Sequence, residues 1–100
     1  MAKFFDSPRM REALRRYIRS RMAYKGFEYK DLCRALEAWG VEQHESNLRS
    51  KINNGSLGAQ LFVYVLLALD TRELPMAQIE EILADIPEDP PAPASDSKET

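Results

Sequence analysis

The sequence contains few of the residues on which catalytic, metal-binding and secreted proteins depend. It has one cysteine, Cys33, and one histidine, His44, in 100 residues. A single cysteine excludes an internal disulfide, and we expect a reducing compartment. One histidine and one cysteine, well apart in the chain, provide neither a metal site nor a nucleophile–base pair, and no glycine-rich phosphate loop is present. We therefore expect no enzyme, no metal ion and no cofactor.

Long apolar segments are also missing. The longest apolar run covers residues 61–69, which is far short of the roughly 20 residues that a membrane-spanning helix needs. The first eight residues lack the apolar core and the cleavage site of a signal peptide. These features predict a cytoplasmic protein with no membrane segment.

The charge of the chain is unevenly distributed, although its apolar and charged fractions, 44% and 30%, are ordinary for one globular domain. Residues 1–55 carry twelve Lys and Arg against seven Asp and Glu, whereas residues 56–100 carry two against nine. The net charge of −2 therefore conceals a basic N-terminal half that is able to bind a polyanion.

Capping residues and apolar periodicity predict an all-α protein, a compact bundle of about five helices. The first helix follows Ser7, a preferred N-cap residue with a proline after it, and ends at Gly26. Further helices are predicted at residues 28–39, 45–54, 59–69 and 75–86, and Ser46 is a second possible N-cap for the third of the five. A strand at the fourth is rejected because no partner strand exists elsewhere.

The predicted helices differ in how much of their surface is apolar. Leu48 and Ile52 are the only candidates for burial on the third helix. The fourth is apolar on nearly every side, which places it inside a core or in the interface of a homodimer. On the second helix we expect Trp39 to close the apolar face.

Residues 87–100 have a different composition from the rest of the chain. They contain four prolines, acidic and small polar residues, and no large apolar side chain. Such a segment cannot offset the entropy that it loses on ordering. We therefore predict a single helical domain at residues 1–86 and a disordered acidic tail at residues 87–100.

The third helix carries the pattern that most favours a function. With its two apolar residues turned inward, the outer face consists of amides and hydroxyls flanked by cations. Asparagine pairs with adenine, serine with several base groups, and arginine with guanine in the major groove. The same pattern is also typical of a solvated helix that ends in a turn. The candidate DNA-binding residues of this helix are Ser46, Asn47, Arg49, Ser50, Lys51, Asn53 and Asn54.

Cations outside the third helix are candidates for phosphate contacts. Arg11, Arg15 and Arg19 recur every fourth residue and form a basic stripe on the first helix. Lys30 lies near the start of the second helix. Contacts of this kind fix the position of a protein on the duplex without reading its sequence.

The order of elements resembles the lambda-repressor-like (XRE-type) helix-turn-helix family. The similar stretch has Tyr-Lys-Asp-Leu at 29–32, Gly-Val at 40–41 and Asn-Leu-Arg-Ser-Lys-Ile-Asn-Asn-Gly at 47–55, with the apolar helix after it. Residues 12–70 resemble more closely a group of short bacterial proteins classed as a domain of unknown function. The resemblance implies a helix-turn-helix fold, and the closer group implies no known activity.

The resemblance also implies roles for particular residues. It assigns base reading to Asn47, Ser50, Lys51 and Asn54, and a phosphate or base contact to Arg49. Two features depart from the family pattern. The connection before the third helix is longer by a residue or two and carries Glu42 and Glu45, and the usual glutamine early in the second helix is matched by Lys30 or Tyr29.

The leading hypothesis is a non-enzymatic protein that binds double-stranded DNA, a transcriptional regulator of a bacterium or phage acting as a homodimer. The alternative is a protein-interaction module, antitoxin-like or adaptor, in which the same scaffold docks an acidic protein partner on the arginine-rich first helix. A third hypothesis is that the acidic tail folds back on the basic half and tunes its binding.

Overall fold

The computed structural model describes residues 5–88, and this part of the chain is all-helical, with no strand in it. The predicted bundle of five helices is confirmed. None of the helices within residues 5–88 combines the length and the apolar character needed to cross a membrane. Residues 89–100, most of the predicted disordered tail, lie outside the described residues. The helices are, in chain order, α1 (Pro8–Lys25), α2 (Tyr29–Ala38), α3 (Glu45–Asn54), α4 (Gly58–Ala68) and α5 (Met76–Ala84).

Local interactions at its two ends determine the length of α1. The Ser7 hydroxyl accepts a hydrogen bond from the Met10 backbone N–H at 3.0 Å, and Pro8 occupies a first-turn position where no N–H is needed. Gly26 ends the helix in the left-handed conformation, with φ of 72°. Both ends are those that the sequence predicts.

The bounds of α3 are those that the sequence predicts, whereas those of α2, α4 and α5 differ from the prediction by one or two residues. Glu28 precedes α2 as its N-cap, and its N–H donates to the Asp31 carboxylate at 2.8 Å. His44 precedes α3, so Ser46 lies inside that helix and does not cap it. The last helix ends at Ala84, before the predicted end, because a residue that precedes a proline is disfavoured in the α conformation.

The helices pack so that α1 contacts α3 and α5, while α2 contacts α3 and α4. The larger core lies among α1, α2, α3 and α4 and includes Leu48 and Ile52, both fully buried as predicted. A smaller cluster of Tyr17, Leu66 and Ile79 joins α1, α4 and α5. Each fully buried aliphatic side chain contributes about 1.5–3 kcal/mol to folding.

One side of α4 is open to solvent. Its residue Val65 is fully buried, whereas Val63 is 52% exposed and Tyr64 39% exposed. Trp39 is 48% exposed, so the prediction that it closes the apolar face of α2 is wrong. The reason is that Trp39 is the C-cap of α2 and lies beyond the last buried position of that helix, Leu36. Trp39, Val63 and Tyr64 line one shared hollow on the surface.

The beginning of α1 comes very close to Gly55, the C-cap of α3. Gly55 has φ of 64°, and a Cβ atom at this position would lie 2.5 Å from the Arg11 carbonyl oxygen and 2.7 Å from the Arg11 Cα. Only glycine combines this backbone conformation with the absence of a side chain. The contact places the beginning of α1 beside the end of α3.

Replacing Gly55 with alanine is expected to destabilise the protein by ~3 kcal/mol or more, because the left-handed backbone strain adds to a clash with the α1 backbone. Gly26→Ala is the matched control. Gly26 has a similar φ of 72°, but nothing lies within 4 Å of a Cβ there, so the expected loss is only ~1–2 kcal/mol. Urea unfolding followed by circular dichroism measures both losses. Equal losses would contradict a structural role for the close approach.

Candidate nucleic-acid interface

The two faces of α3 are oriented as the sequence pattern predicts. Leu48 and Ile52 are fully buried, and the amide and hydroxyl side chains occupy the opposite, exposed face. Arg49 is exposed at one edge of this face, and Lys51 is half-buried at the other. The exposed amide and hydroxyl residues are Ser46, Asn47, Ser50, Asn53 and Asn54.

Tyr29, the first residue of α2, contacts the exposed face of α3. Its hydroxyl donates a hydrogen bond to Asn53 Oδ1 at 3.3 Å. The Arg49 guanidinium lies over its ring, 5.1 Å from the ring centroid, within the range of a cation–π interaction. Lys30, the predicted phosphate contact at the start of α2, pairs with Glu28 at 3.6 Å and is exposed. In the sequence, the only sign of this role was that Tyr29, at the first position of α2, combines an aromatic ring with a terminal hydroxyl.

The arginine stripe of α1 borders the same face. The Arg11 backbone lies against Gly55 at the end of α3. The pKa of Arg15 is raised above its ordinary value, mainly by the hydrogen bond to Glu12 and in smaller part by an electrostatic interaction with Tyr29. Arg15 is therefore close to the start of α2, one helical turn after Arg11.

Residues of three helices thus form one continuous surface. Arg19 lies one turn beyond Arg15 on α1 and is exposed. Lys51 lies apart from this surface, on the other edge of α3. The Lys51 ammonium group donates there to Gln43 Oε1 at 3.3 Å. We call this surface the arginine–tyrosine surface; it consists of Arg11, Arg15, Tyr29, Arg49 and Asn53.

Glu12 neutralises part of the positive charge of α1. Its carboxylate lies 2.6 Å from Arg15 Nη2 and 2.8 Å from Arg16 Nε. Hydrogen bonds from Arg15 and then Arg16 lower the pKa of Glu12 from 4.5 to about 2. One carboxylate shared by two guanidinium groups leaves this part of α1 with a net positive charge.

The other cations of the arginine–tyrosine surface have carboxylate partners of their own. Arg11 Nε lies 3.0 Å from Asp6 Oδ1. On α3, Arg49 Nη2 lies 2.9 Å from Glu45 Oε2, one turn earlier. Both pairs are solvent-exposed, and exposed pairs of this kind contribute only about 0.2–1 kcal/mol each. They therefore open at low cost when a stronger anion arrives.

The beginning of α3 is acidic. Glu45 is its first residue, and Glu37 and Glu42 line a hollow in front of it. Burial raises the pKa of the Cys33 thiol, and the negative charges of Glu45 and Glu37 raise it further. Cys33 therefore lies near these two carboxylates. The connection from α2 to α3 spans residues 39–44. The two ends of α3 therefore differ in charge, with carboxylates at its start and the α1 arginines near its end.

The polar groups that this surface presents are amides, hydroxyls and guanidinium groups. In the part of the chain that the structure describes, no group of three or more His, Cys, Asp or Glu side chains is placed to hold a metal ion. Cys33 is half-buried, and its raised pKa keeps it mainly in the unreactive thiol form. The amides and hydroxyls can form hydrogen bonds with a ligand, and the guanidinium groups attract negatively charged groups.

Residues 10–74 match a family model described as Domain of unknown function (DUF6471). The match covers more than half of the chain, so the chain belongs to this family. Comparison with curated proteins and with solved structures gives no match. The whole arginine–tyrosine surface lies within the matched residues, whereas α5 lies outside them.

Replacing Glu12 with glutamine is expected to destabilise the protein by no more than ~1 kcal/mol at pH 7, since the ion pairs are partly exposed. The folded-state pKa of Glu12 is lowered from 4.5 to about 2. Its ionised form therefore contributes its full stabilisation above pH 4.5, and this is lost as the pH falls towards 2. The difference between parent and variant, measured by urea unfolding at several pH values, should shrink over that interval.

The matched control for this experiment is Glu80→Gln on α5. Glu80 is exposed and has no ion pair within residues 5–88. Its substitution reports the general effect of losing one negative charge. A Glu12 difference that stays constant from pH 7 to pH 2 would contradict the assigned ion pairs.

Proposed function

We propose that this DUF6471 protein is a non-enzymatic DNA-binding protein, a transcriptional regulator of a bacterium or phage. In this proposal α3 enters the major groove of double-stranded DNA, and α1 lies against the phosphate backbone. A regulator of this kind acts on the chromosome, so the proposed compartment is the bacterial cytoplasm.

The observation that carries the proposal is the exposed face of α3. Asn47, Ser50 and Asn54 lie on the side of the helix opposite Leu48 and Ile52, and all three are exposed. An asparagine amide both donates to and accepts from adenine in the major groove, and a serine hydroxyl pairs with several base groups. A helix that is buried on one side and lined with such groups on the other fits the width of that groove.

Cations beside this face support the phosphate role of α1. The Arg11 backbone lies against Gly55 at the end of α3, and Arg15 and Arg19 continue the stripe along α1. In all, α1 carries seven Lys and Arg and one Glu, a net charge of +6 that attracts a polyanion. Contacts from these arginines to phosphates would set the register in which α3 meets the bases.

The proposed regulator uses a helix-turn-helix and binds as a homodimer. The succession of α2 and α3 is similar to that of lambda-repressor-like proteins, in which the second helix of the pair lies in the major groove. The hollow lined by Trp39, Val63 and Tyr64 supports a dimer, because adjoining exposed apolar side chains are typical of interfaces. A two-fold dimer would match a two-fold DNA site.

A second candidate function is a protein-interaction module, antitoxin-like or adaptor. The acidic start of α3 favours it, because Glu42 and Glu45 repel phosphates where a recognition helix usually meets DNA. In this case the arginines of α1 bind the acidic surface of another protein. The scaffold is the same, and only the partner differs.

Titration of a labelled duplex taken from the region upstream of its own gene tests the leading proposal. The logarithm of the affinity should fall linearly with the logarithm of salt concentration, since phosphate contacts release counterions. Asn47→Ala with Ser50→Ala should reduce discrimination between duplexes by ~10-fold or more. Arg15→Ala with Arg19→Ala should weaken binding to all duplexes and reduce the salt slope by about 2.

Arg72→Ala is the control for loss of a cation, because Arg72 is exposed in the connection between α4 and α5 and should not alter binding. No binding of any duplex at low salt rejects the proposal. Loss of an acidic protein partner only in the Arg15 and Arg19 double variant, with no DNA binding at all, favours the interaction module instead.

Glu12→Gln is expected to raise the affinity for DNA, whereas the arginine substitutions lower it. Its substitution releases Arg15 and Arg16 from their shared carboxylate and should raise DNA affinity several-fold at low salt. Glu80→Gln changes the net charge equally but releases no arginine, so its gain should be smaller. Filter binding or fluorescence anisotropy with the same duplex measures both, and equal gains would contradict the role of α1 on phosphates.

A further inference from the structure

The cations of α1 exceed the carboxylates available to them nearby. Seven Lys and Arg share the helix with one Glu. Within residues 5–88, Arg19, Arg21 and Lys25 form no ion pair with a carboxylate. Arg21 and Lys25 lie over aromatic rings, 5.0 Å and 5.5 Å from the ring centroids. Arg21 is half-buried, and its Nε also donates to Thr71 Oγ1 at 3.2 Å. The exposed cations of α1 therefore attract anions along its C-terminal half; they are Arg16, Arg19 and Lys25.

The C-terminal segment of the chain starts beside this helix. Arg9, in the first turn of α1, donates from Nε to the carbonyl oxygens of Leu83 and Ile86, both at 3.1 Å. These carbonyls lie at the C-terminal end of α5, where the helix dipole is negative. Ile79 packs with Tyr17 in the second core cluster, so α5 runs antiparallel to α1. The chain therefore leaves α5 at the N-terminal end of α1.

The segment that follows is acidic and long enough to reach the other end of α1. It has four carboxylates against the single Lys98, and Pro90, Pro91 and Pro93 lie among them. An extended proline-rich chain spans about 3.1 Å per residue, so a segment of ten residues has a maximum reach of about 30 Å. The 18 residues of α1 span about 27 Å. The four carboxylates are Glu88, Asp89, Asp96 and Glu99.

We infer that residues 88–99 bind the exposed side of α1 and compete with an external polyanion for its arginines. Opposite charge, a starting point fixed by Arg9 and sufficient length all support this contact. A tethered segment acts at an effective concentration in the millimolar range, so even weak ion pairs suffice. The regulatory consequence rests on the proposed DNA function, whereas the contact itself does not.

The contact is tested on the full-length chain by neutralising its acidic segment in the variant E88Q/D89N/D96N/E99Q. Proton–nitrogen NMR spectra at low salt should show shifted α1 resonances, above all those of Arg16, Arg19 and Lys25. About 1 M salt, where the screening length falls to about 3 Å, should shift the parent resonances in the same direction. The control E37Q/E42Q/E73Q removes three exposed carboxylates that lie outside α1 and α5 and should leave the α1 resonances in place.

Titration with a labelled duplex then tests the competition. The neutralised variant should bind several-fold more tightly than the parent at low salt, and the two should converge at high salt. Unchanged α1 resonances would overturn the inference whatever the DNA result. Shifted α1 resonances without a gain in affinity for the duplex would overturn the inferred competition between the C-terminal segment and DNA. Shifted resonances with no DNA binding by any variant would support the contact and reject the proposed function.

Discussion

The close approach of α1 to Gly55 determines where the other groups of the arginine–tyrosine surface lie. Because a glycine with positive φ ends α3, the Arg11 backbone comes into direct contact with it. That contact places the beginning of α1 beside the end of α3, and Arg15, one turn later on α1, interacts electrostatically with Tyr29 at the start of α2. Tyr29 then joins α2 to α3 through its contacts with Asn53 and Arg49. A side chain at Gly55 would separate the helices and disperse these groups.

The electrostatics of this surface depend on local pairing more than on the number of cations. Glu12 holds two arginines of α1, and Glu45 holds Arg49 on α3. Exposed pairs of this kind contribute little to stability, whereas guanidinium groups form strong bidentate bonds with phosphate. An approaching polyanion can therefore displace the local carboxylates. The surface is available to such a ligand even though its cations are paired in the free protein.

Helix ends and buried positions could be predicted because they depend on neighbours in the chain. Ser7 and Gly26 act through hydrogen bonds and backbone conformation within a few residues of themselves. The contact of Tyr29 with Asn53 and the exposure of Trp39 could not be predicted, because they depend on how separate helices pack. The pairing of Arg15 and Arg16 with Glu12 could not be read from the charge count either, because a count of cations and carboxylates does not say which of them are in contact.

The unequal charge of the two ends of α3 restricts how a duplex could approach. In lambda-repressor-like proteins the first residues of the recognition helix meet the base edges. Here Glu45 begins the helix and Glu42 precedes it, and both repel phosphates. The N-terminal end of α1, which carries Arg11, lies instead beside the C-terminal end of α3. A duplex whose phosphates follow α1 would therefore lie nearer Ser50 and Asn54 than the first turn, and base contacts would move towards the C-terminal half of the helix.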